Sequence, residues 1–122
     1  MAKTLIDTNI IVRYYVDNDT TLLKLIDSYD ELVIPISVVF ESVFVLEKLY
    51  KVERDLISKH ITSLIQEEKV DTDLAAISKT IEFFKVKHNL NIIDCYLLAL
   101  ALQQNMDLQT MDKELEKTHN LK

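Results

Sequence analysis

Glycine is absent from this 122-residue chain, proline occurs only at Pro35, and there is no tryptophan. Average glycine usage is about 7%, so backbone positions that need φ > 0 are expected to fall to Asn or Asp. Without glycine there is neither a Walker A loop nor a dinucleotide fingerprint, which excludes nucleotide cofactors held in those ways. A single cysteine, Cys95, precludes an internal disulfide and fits a reducing cytoplasm. No uninterrupted apolar run approaches the roughly 20 residues of a membrane-spanning helix. Asp7 breaks what would have to be the apolar stretch of a secretory signal. The chain is therefore read as water-soluble and cytoplasmic, with no membrane partner. Positive charge is also scarce, since 14 Lys and Arg face 20 Asp and Glu for a net charge of −6. That balance argues against a broadly basic nucleic-acid binder. It does not argue against a nuclease, because divalent cations held by carboxylates reverse the local field where a substrate phosphate must sit.

With 48% hydrophobic and 28% charged residues, the composition is that of one globular domain spanning 1–122. A chain of this size buries roughly two-thirds of its unfolded surface without a disulfide or structural metal. Thr4 to Ile6 reads as a first strand. A crossing segment, Ile10 to Val16, follows, and Asp17-Asn18-Asp19 can cap a helix from about Thr20 to Ser28. Leu32 to Ile34 forms a second strand ended by Pro35, with Ser37 as N-cap of a helix from about Val38 to Lys51. Another helix runs from about Glu53 to Glu68. After a β segment around Val70, Thr72 is the candidate N-cap of a helix reaching about His88, with Ile77, Ile81, Phe84 and Val86 among its apolar positions. Asn89-Leu90-Asn91 interrupts. A nearly continuous apolar helix runs from Asp94 to Gln104, with Asn105 in the left-handed cap position. Leu108 to Thr110 reads as a last buried strand. Strands alternating with helices predict an α/β fold with a mainly parallel sheet covered on both faces.

Four acids stand out against this framework. Asp7 ends the first strand, and in open α/β sheets ligands gather outside the carboxyl ends of strands. Taken alone, Asp7 is equally a turn residue satisfying local amides. Glu41 interrupts the apolar run Val38-Val39-Phe40-Glu41-Ser42-Val43-Phe44-Val45-Leu46. If buried, its carboxylate requires a cation, hydrogen bonds or a proton; a place on the solvent edge of the helix is the other reading. Asp94 opens the most apolar helix, and Asp112 follows the last strand; each taken alone reads as an N-cap. The combination discriminates better than its members. An all-oxygen set of this type suits Mg²⁺ or Mn²⁺ rather than zinc, and His60, His88 and His119 are too scattered to be ligands, so they are read as surface residues.

At these residues the chain resembles the PIN-domain family of metal-dependent ribonucleases. The matching segments are Leu-Ile-Asp-Thr-Asn at 5–9, Ile-Ser-x-x-x-x-Glu beginning at Ile36, Asp94 through Ala101, and Leu-Gln-Thr-Met-Asp-Lys at 108–113. The length suits the small prokaryotic members that act as toxins in VapBC-type toxin-antitoxin pairs. The resemblance implies a three-layer α/β/α fold with a central sheet of short strands. It implies that Asp7, Glu41, Asp94 and Asp112 form a catalytic Mg²⁺ or Mn²⁺ site, supported by Thr8, Asn9 and Thr110. It further implies that the substrate is RNA, cut to a 5′-phosphate and a 3′-hydroxyl, and that a cognate antitoxin protein blocks the site. Asn105 stands where many relatives have glycine, and Cys95 where a small residue is common; Cys95 itself is read as a buried core residue.

Arg13, Lys48, Lys51, Arg54 and Lys113 are the cations nearest these motifs, although a solvated helix face accounts equally well for those at 48–54. Tyr14 and Tyr15 are of the type that stacks on bases, and also of the type found in cores. The Leu-rich helix from Asp94 to Gln104 suits a homodimer or burial against the sheet. A phosphoacceptor aspartate after the first strand also occurs in haloacid-dehalogenase-like phosphatases and receiver domains. Asn9 and Ile11 depart from the phosphatase pattern, and the receiver acids and lysine are not convincingly filled. A non-catalytic PIN-like interaction module and an RNA-processing nuclease outside any toxin-antitoxin pair remain as alternatives.

Overall fold

The computed structural model describes residues 2–120. By contact the chain divides into two compact units, Met1–Leu74 and Ala75–Lys122.

The first unit holds the sheet. Strands β1 (Lys3–Leu5), β2 (Glu31–Val33) and β3 (Val70–Asp71) run parallel in the order β1-β2-β3. The ladder extends a residue further on two strands, because the Ile6 amide donates to the Val33 carbonyl at 3.0 Å and the Ile34 amide to Asp71 at 2.9 Å. Ile6, Leu32 and Ile34 are buried, which anchors the chain immediately before Asp7 and before Pro35. Proline has no amide for the ladder, and its carbonyl instead accepts from Val38 and Val39. This opens α3 (Ile36–Lys48) two residues earlier than expected and places Ser37 inside the first turn rather than at the cap.

The crossing segment at 10–16 is a full helix, α1 (Thr8–Asp17), followed by α2 (Thr21–Ser28). As expected, Asn18 ends α1 in the left-handed region at φ 55°, and the Asp19 carboxylate accepts from the Thr21 amide at 2.8 Å. Helix α4 (Arg54–Ile65) completes the unit. Helix α1 packs on α2 and α3, α3 on α4, α2 on β2, and α4 on β3. Parallel strands require such crossovers, which place apolar helix faces on the sheet.

Left-handed backbone occurs at Asn18 and Asn105, as a chain without glycine requires, but also at Lys51, with φ 56°. Behind that turn, the Val52 amide donates to Leu46 and the Tyr50 amide to Val45, so the end of α3 is satisfied at the expense of strain at a lysine. A non-glycine residue pays roughly 1–2 kcal/mol in this region. Glycine there restores about 0.5–1 kcal/mol of unfolded-state entropy cost. Lys51→Gly is therefore expected to raise stability by about 0.5 kcal/mol, read as a higher denaturant midpoint with an unchanged m-value. A lowered midpoint would contradict the strain argument.

The second unit is helical. Helix α5 (Leu74–Val86) begins at the boundary, followed by α6 (Ile92–Gln103) and α7 (Lys113–Asn120), with α6 packed on α7. Because α5 starts at Leu74, Thr72 is not its cap, and its buried hydroxyl has no hydrogen-bond partner among the described residues. Ile77, Ile81 and Phe84 are buried as expected, but Val86 is 64% exposed. Nine residues beyond Ile77, at about 100° per residue, it falls on the opposite side of the helix. Asn105 takes the predicted cap position at φ 53°, and the Met106 amide reaches back to the Ala101 carbonyl at 2.8 Å, closing α6 in the way glycine normally allows.

The expected last strand at Leu108–Thr110 is absent; these residues carry no regular structure. A strand exists only through its ladder, and three residues with Gln109 exposed contribute little burial of their own. No helix among the described residues is long and apolar enough to cross a membrane.

Candidate active site

In the first unit, Thr8 links two of the acids. Asp7 has extended backbone and caps α1, its Oδ1 accepting from the Thr8 amide at 2.7 Å. The Thr8 hydroxyl donates to Glu41 Oε1. Thr8 is only 6% exposed, and the packing of α1 on α3 brings residue 41 to it. Glu41 itself is exposed, so of its two readings the place on the solvent edge of the helix is the one found. Position 41 projects from the rim of α3 while Val39, Phe40, Ser42, Val43 and Leu46 are buried. Its partner is a hydroxyl. Asn9 is exposed on the first turn of α1.

Thr8→Val keeps the shape and the amide but removes the hydroxyl. Partners of ligating carboxylates typically contribute 10–100-fold to metal affinity or activity. If Asp7 and Glu41 hold a metal as the family resemblance implies, metal-dependent RNA cleavage by Thr8→Val should fall by about that much, with Thr8→Ser close to wild type. Equal rates for wild type and Thr8→Val would remove Thr8 from the site.

In the second unit, the cap of α6 is Asn91, not Asp94. The Asn91 side chain accepts from the Asp94 amide at 2.8 Å, which places Asp94 within the first turn. A short polar side chain one step before the apolar run outcompetes the acid three residues on for the cap position. Burial holds the Asp94 carboxyl above the usual carboxylate range, the negative charge of Asp112 adds to this, and a backbone hydrogen bond at Asn91 opposes it. Asp112 behaves as its simpler reading predicts, its Oδ1 accepting from the Glu114 and Leu115 amides at 2.9 and 3.1 Å as the cap of α7. The Thr110 hydroxyl accepts from the Asp112 amide at 3.0 Å, so Thr110 steers the approach to this acid.

Each unit thus presents a pair of acids. Within neither unit do three or more His, Cys, Asp or Glu side chains gather at metal-binding spacing among the described residues. The donor chemistry nevertheless suits a hard divalent cation. All four side chains offer carboxylate oxygens, and the Asp94–Asp112 repulsion is of the kind that a cation relieves.

The basic residues divide differently from the expectation. Arg54 Nε donates to Glu47 Oε2 at 2.6 Å, with both side chains mostly covered, and Lys48 lies 3.9 Å from the same carboxylate. Arg54 therefore ties α4 to α3 and is not displayed for phosphate. Arg13, Lys51 and Lys113 are exposed.

His60 is a second correction, since it is half-buried and stacked on Tyr15 at 4.1 Å between ring centroids. The Tyr15 hydroxyl donates to the His60 carbonyl at 2.9 Å, and Tyr14 meets Tyr15 edge-on. Burial pushes the His60 imidazolium pKa down and the Tyr15 phenol up. These rings line a groove of about 490 Å³ together with Asn18, Leu23 and Ser63. No local signal announces a contact between residues 45 apart in sequence. Likewise missed were the Asn91 cap, legible as an Asn before an apolar run, and a hydrogen bond from Asn89 to Glu114.

An acid-bearing α/β fold with a short parallel sheet defines the class of the molecule. The model of the PIN domain family matches residues 4–121, and the chain belongs to that family. No curated protein matches it. PIN domains are generally nucleases that act on RNA and typically use divalent metals.

Proposed function

We propose that this chain is a Mg²⁺- or Mn²⁺-dependent endoribonuclease, acting as a single PIN domain, with Asp7, Glu41, Asp94 and Asp112 as its metal-binding and catalytic acids. The observation that carries the reading is Thr8, whose amide and hydroxyl hold Asp7 and Glu41 in one arrangement. A buried residue committed to two solvent-facing acids contributes little to folding that a simpler side chain would not, and such partners are what ligating carboxylates require. A bound divalent cation supplies an activated water and neutralises charge on the phosphate and leaving oxygen. The chain's own residues supply the geometry. Thr8 and Asn91 orient the first pair and Asp94, while the first turn of α7 orients Asp112. Thr110 and Asn9 support these polar surroundings, and exposed Lys113 and Arg13 offer charge to the RNA backbone. Cleavage leaves a 5′-phosphate and a 3′-hydroxyl.

The same reading makes the protein a cytoplasmic toxin of a type II toxin-antitoxin pair, with an antitoxin protein that covers the acids. It also makes the protein a homodimer, to which Ile93 and Leu97, 50% and 37% exposed and four apart on α6, contribute. The test is cleavage of a panel of labelled structured RNAs in Mg²⁺ or Mn²⁺, with EDTA and Asp94→Asn as controls. Cutting that requires metal and is lost in the variant supports the assignment. Cutting that survives both is contamination.

A second reading is favoured by one observation, the absence of three gathered ligands within either unit among the described residues. On it, the chain is a non-catalytic PIN-like module that binds a protein partner. Partner binding retained by Asp94→Asn, with no RNA cleaved by wild type, would establish that reading instead.

A further inference from the structure

Two acids of the second unit, Asp94 and Asp112, stand in or at the first turns of different helices, α6 and α7. Residues 105–111 carry no helix or strand and reach Asp112 through the Thr110 hydroxyl. Buried Leu115 and Thr118 seat the inner side of α7, Leu115 from within its first turn. A side-chain bond also reaches that turn from elsewhere in the unit, with Asn89 Nδ2 donating to Glu114 Oε2 at 2.8 Å.

Both ends of this bond are tied to an acid. The Glu114 amide donates to Asp112 Oδ1 at 2.9 Å. Asn89 lies two residues before Asn91, whose side chain accepts from the Asp94 amide at 2.8 Å. Leu90, between the two asparagines, is buried, and its amide donates to the Lys87 carbonyl at 3.0 Å, so this short stretch is anchored. A continuous path therefore runs from Asp112 through Glu114 and Asn89 to the cap of Asp94.

We propose that Asn89 and Glu114 form a clasp between the segment leading into α6 and the first turn of α7, and that as positioning residues they set the separation of Asp94 and Asp112 and with it the affinity of the site for divalent metal. This rests on the ribonuclease reading above. Neither residue touches substrate or metal. Glu114, although acidic and beside Asp112, acts as an acceptor for Asn89, and a neutral acceptor of the same shape performs the same task.

The experiment is a Mn²⁺ titration of the full chain followed by electron paramagnetic resonance, with thermal melts as a check on folding. Asn89→Ala should weaken Mn²⁺ binding by ~10-fold, the scale of partners outside the ligand set, without a large change in melting temperature. Asn89→Asp, which sets two carboxylates against each other, should weaken it further. Glu114→Ala should match Asn89→Ala, while Glu114→Gln, which keeps an acceptor oxygen, should restore binding. In RNA cleavage the metal concentration needed for half-maximal rate should rise in Asn89→Ala, with the rate at saturating metal falling less.

Wild-type Mn²⁺ affinity in Asn89→Ala would overturn the clasp alone. Equal losses in Glu114→Gln and Glu114→Ala would overturn it too, since charge rather than the hydrogen bond would then be responsible. A wild type that neither binds Mn²⁺ nor cuts RNA overturns the ribonuclease reading itself, and the clasp with it.

Discussion

Asp7→Asn is expected to lower metal-dependent RNA cleavage by about 10³-fold while leaving the fold intact. The separation is possible because Asp7 has two tasks that respond differently to amidation. As the cap of α1 it needs only an oxygen to accept from the Thr8 amide, and Asn caps helices about as well as Asp. In the metal-binding role proposed for it, it needs its charge. Transition-state charge stabilisation by a bound cation amounts to several kcal/mol, and each ~1.4 kcal/mol is tenfold in rate. The comparison that isolates the charge is Asp7→Asn against Asp7→Ala. Both should be inactive, but the alanine variant alone should lose the ~1 kcal/mol of a missing cap, read from chemical denaturation. Full activity in Asp7→Asn would remove this acid from the catalytic set.

Phe84→Ala is expected to destabilise the chain by ~3–5 kcal/mol, the cost of emptying a large aromatic site that collapses only partly. Phe84 is wholly buried and, with Ile77 and Ile81, forms the inner stripe of α5. For a chain of this length each kcal/mol lowers the melting temperature by roughly 3–6 °C, so a fall of about 10–30 °C is expected in a calorimetric scan. Val86→Ala, on the outer side of the same helix, is the internal control and should be nearly neutral. Similar losses from both would mean that α5 buries a different face.

The two substitutions mark how much was legible without coordinates. Phe84 was readable because helical periodicity converts spacing into a face, and Val86 was misplaced because apolar character was counted without its angle. The α/β class and parallel sheet followed from strands alternating with helices, and the left-handed asparagines from the lack of glycine. The Lys51 turn did not follow, because its conformation is set by how α3 ends against α4 rather than by its own preference. The missing last strand failed for a similar reason: three residues of strand character become a strand only if a neighbour supplies a ladder.

Among the acids, local signals were sufficient for caps and insufficient for partners. Asp7 and Asp112 cap helices because residue type and position suffice for a bond to an amide one to three residues away. The Thr8–Glu41 and Asn89–Glu114 bonds join residues 33 and 25 apart in sequence, and Tyr15 meets His60 across 45. No short-range pattern encodes such pairs, since they arise when packed helices bring distant faces together. Residue chemistry and short-range spacing thus carried the class of fold, the helix ends, the acidic inventory and the family likeness. Which carboxylates lie exposed, what orients them and which cations are already paired came from packing alone, because burial and hydrogen bonding over long separations are properties of assembled helices and not of any segment.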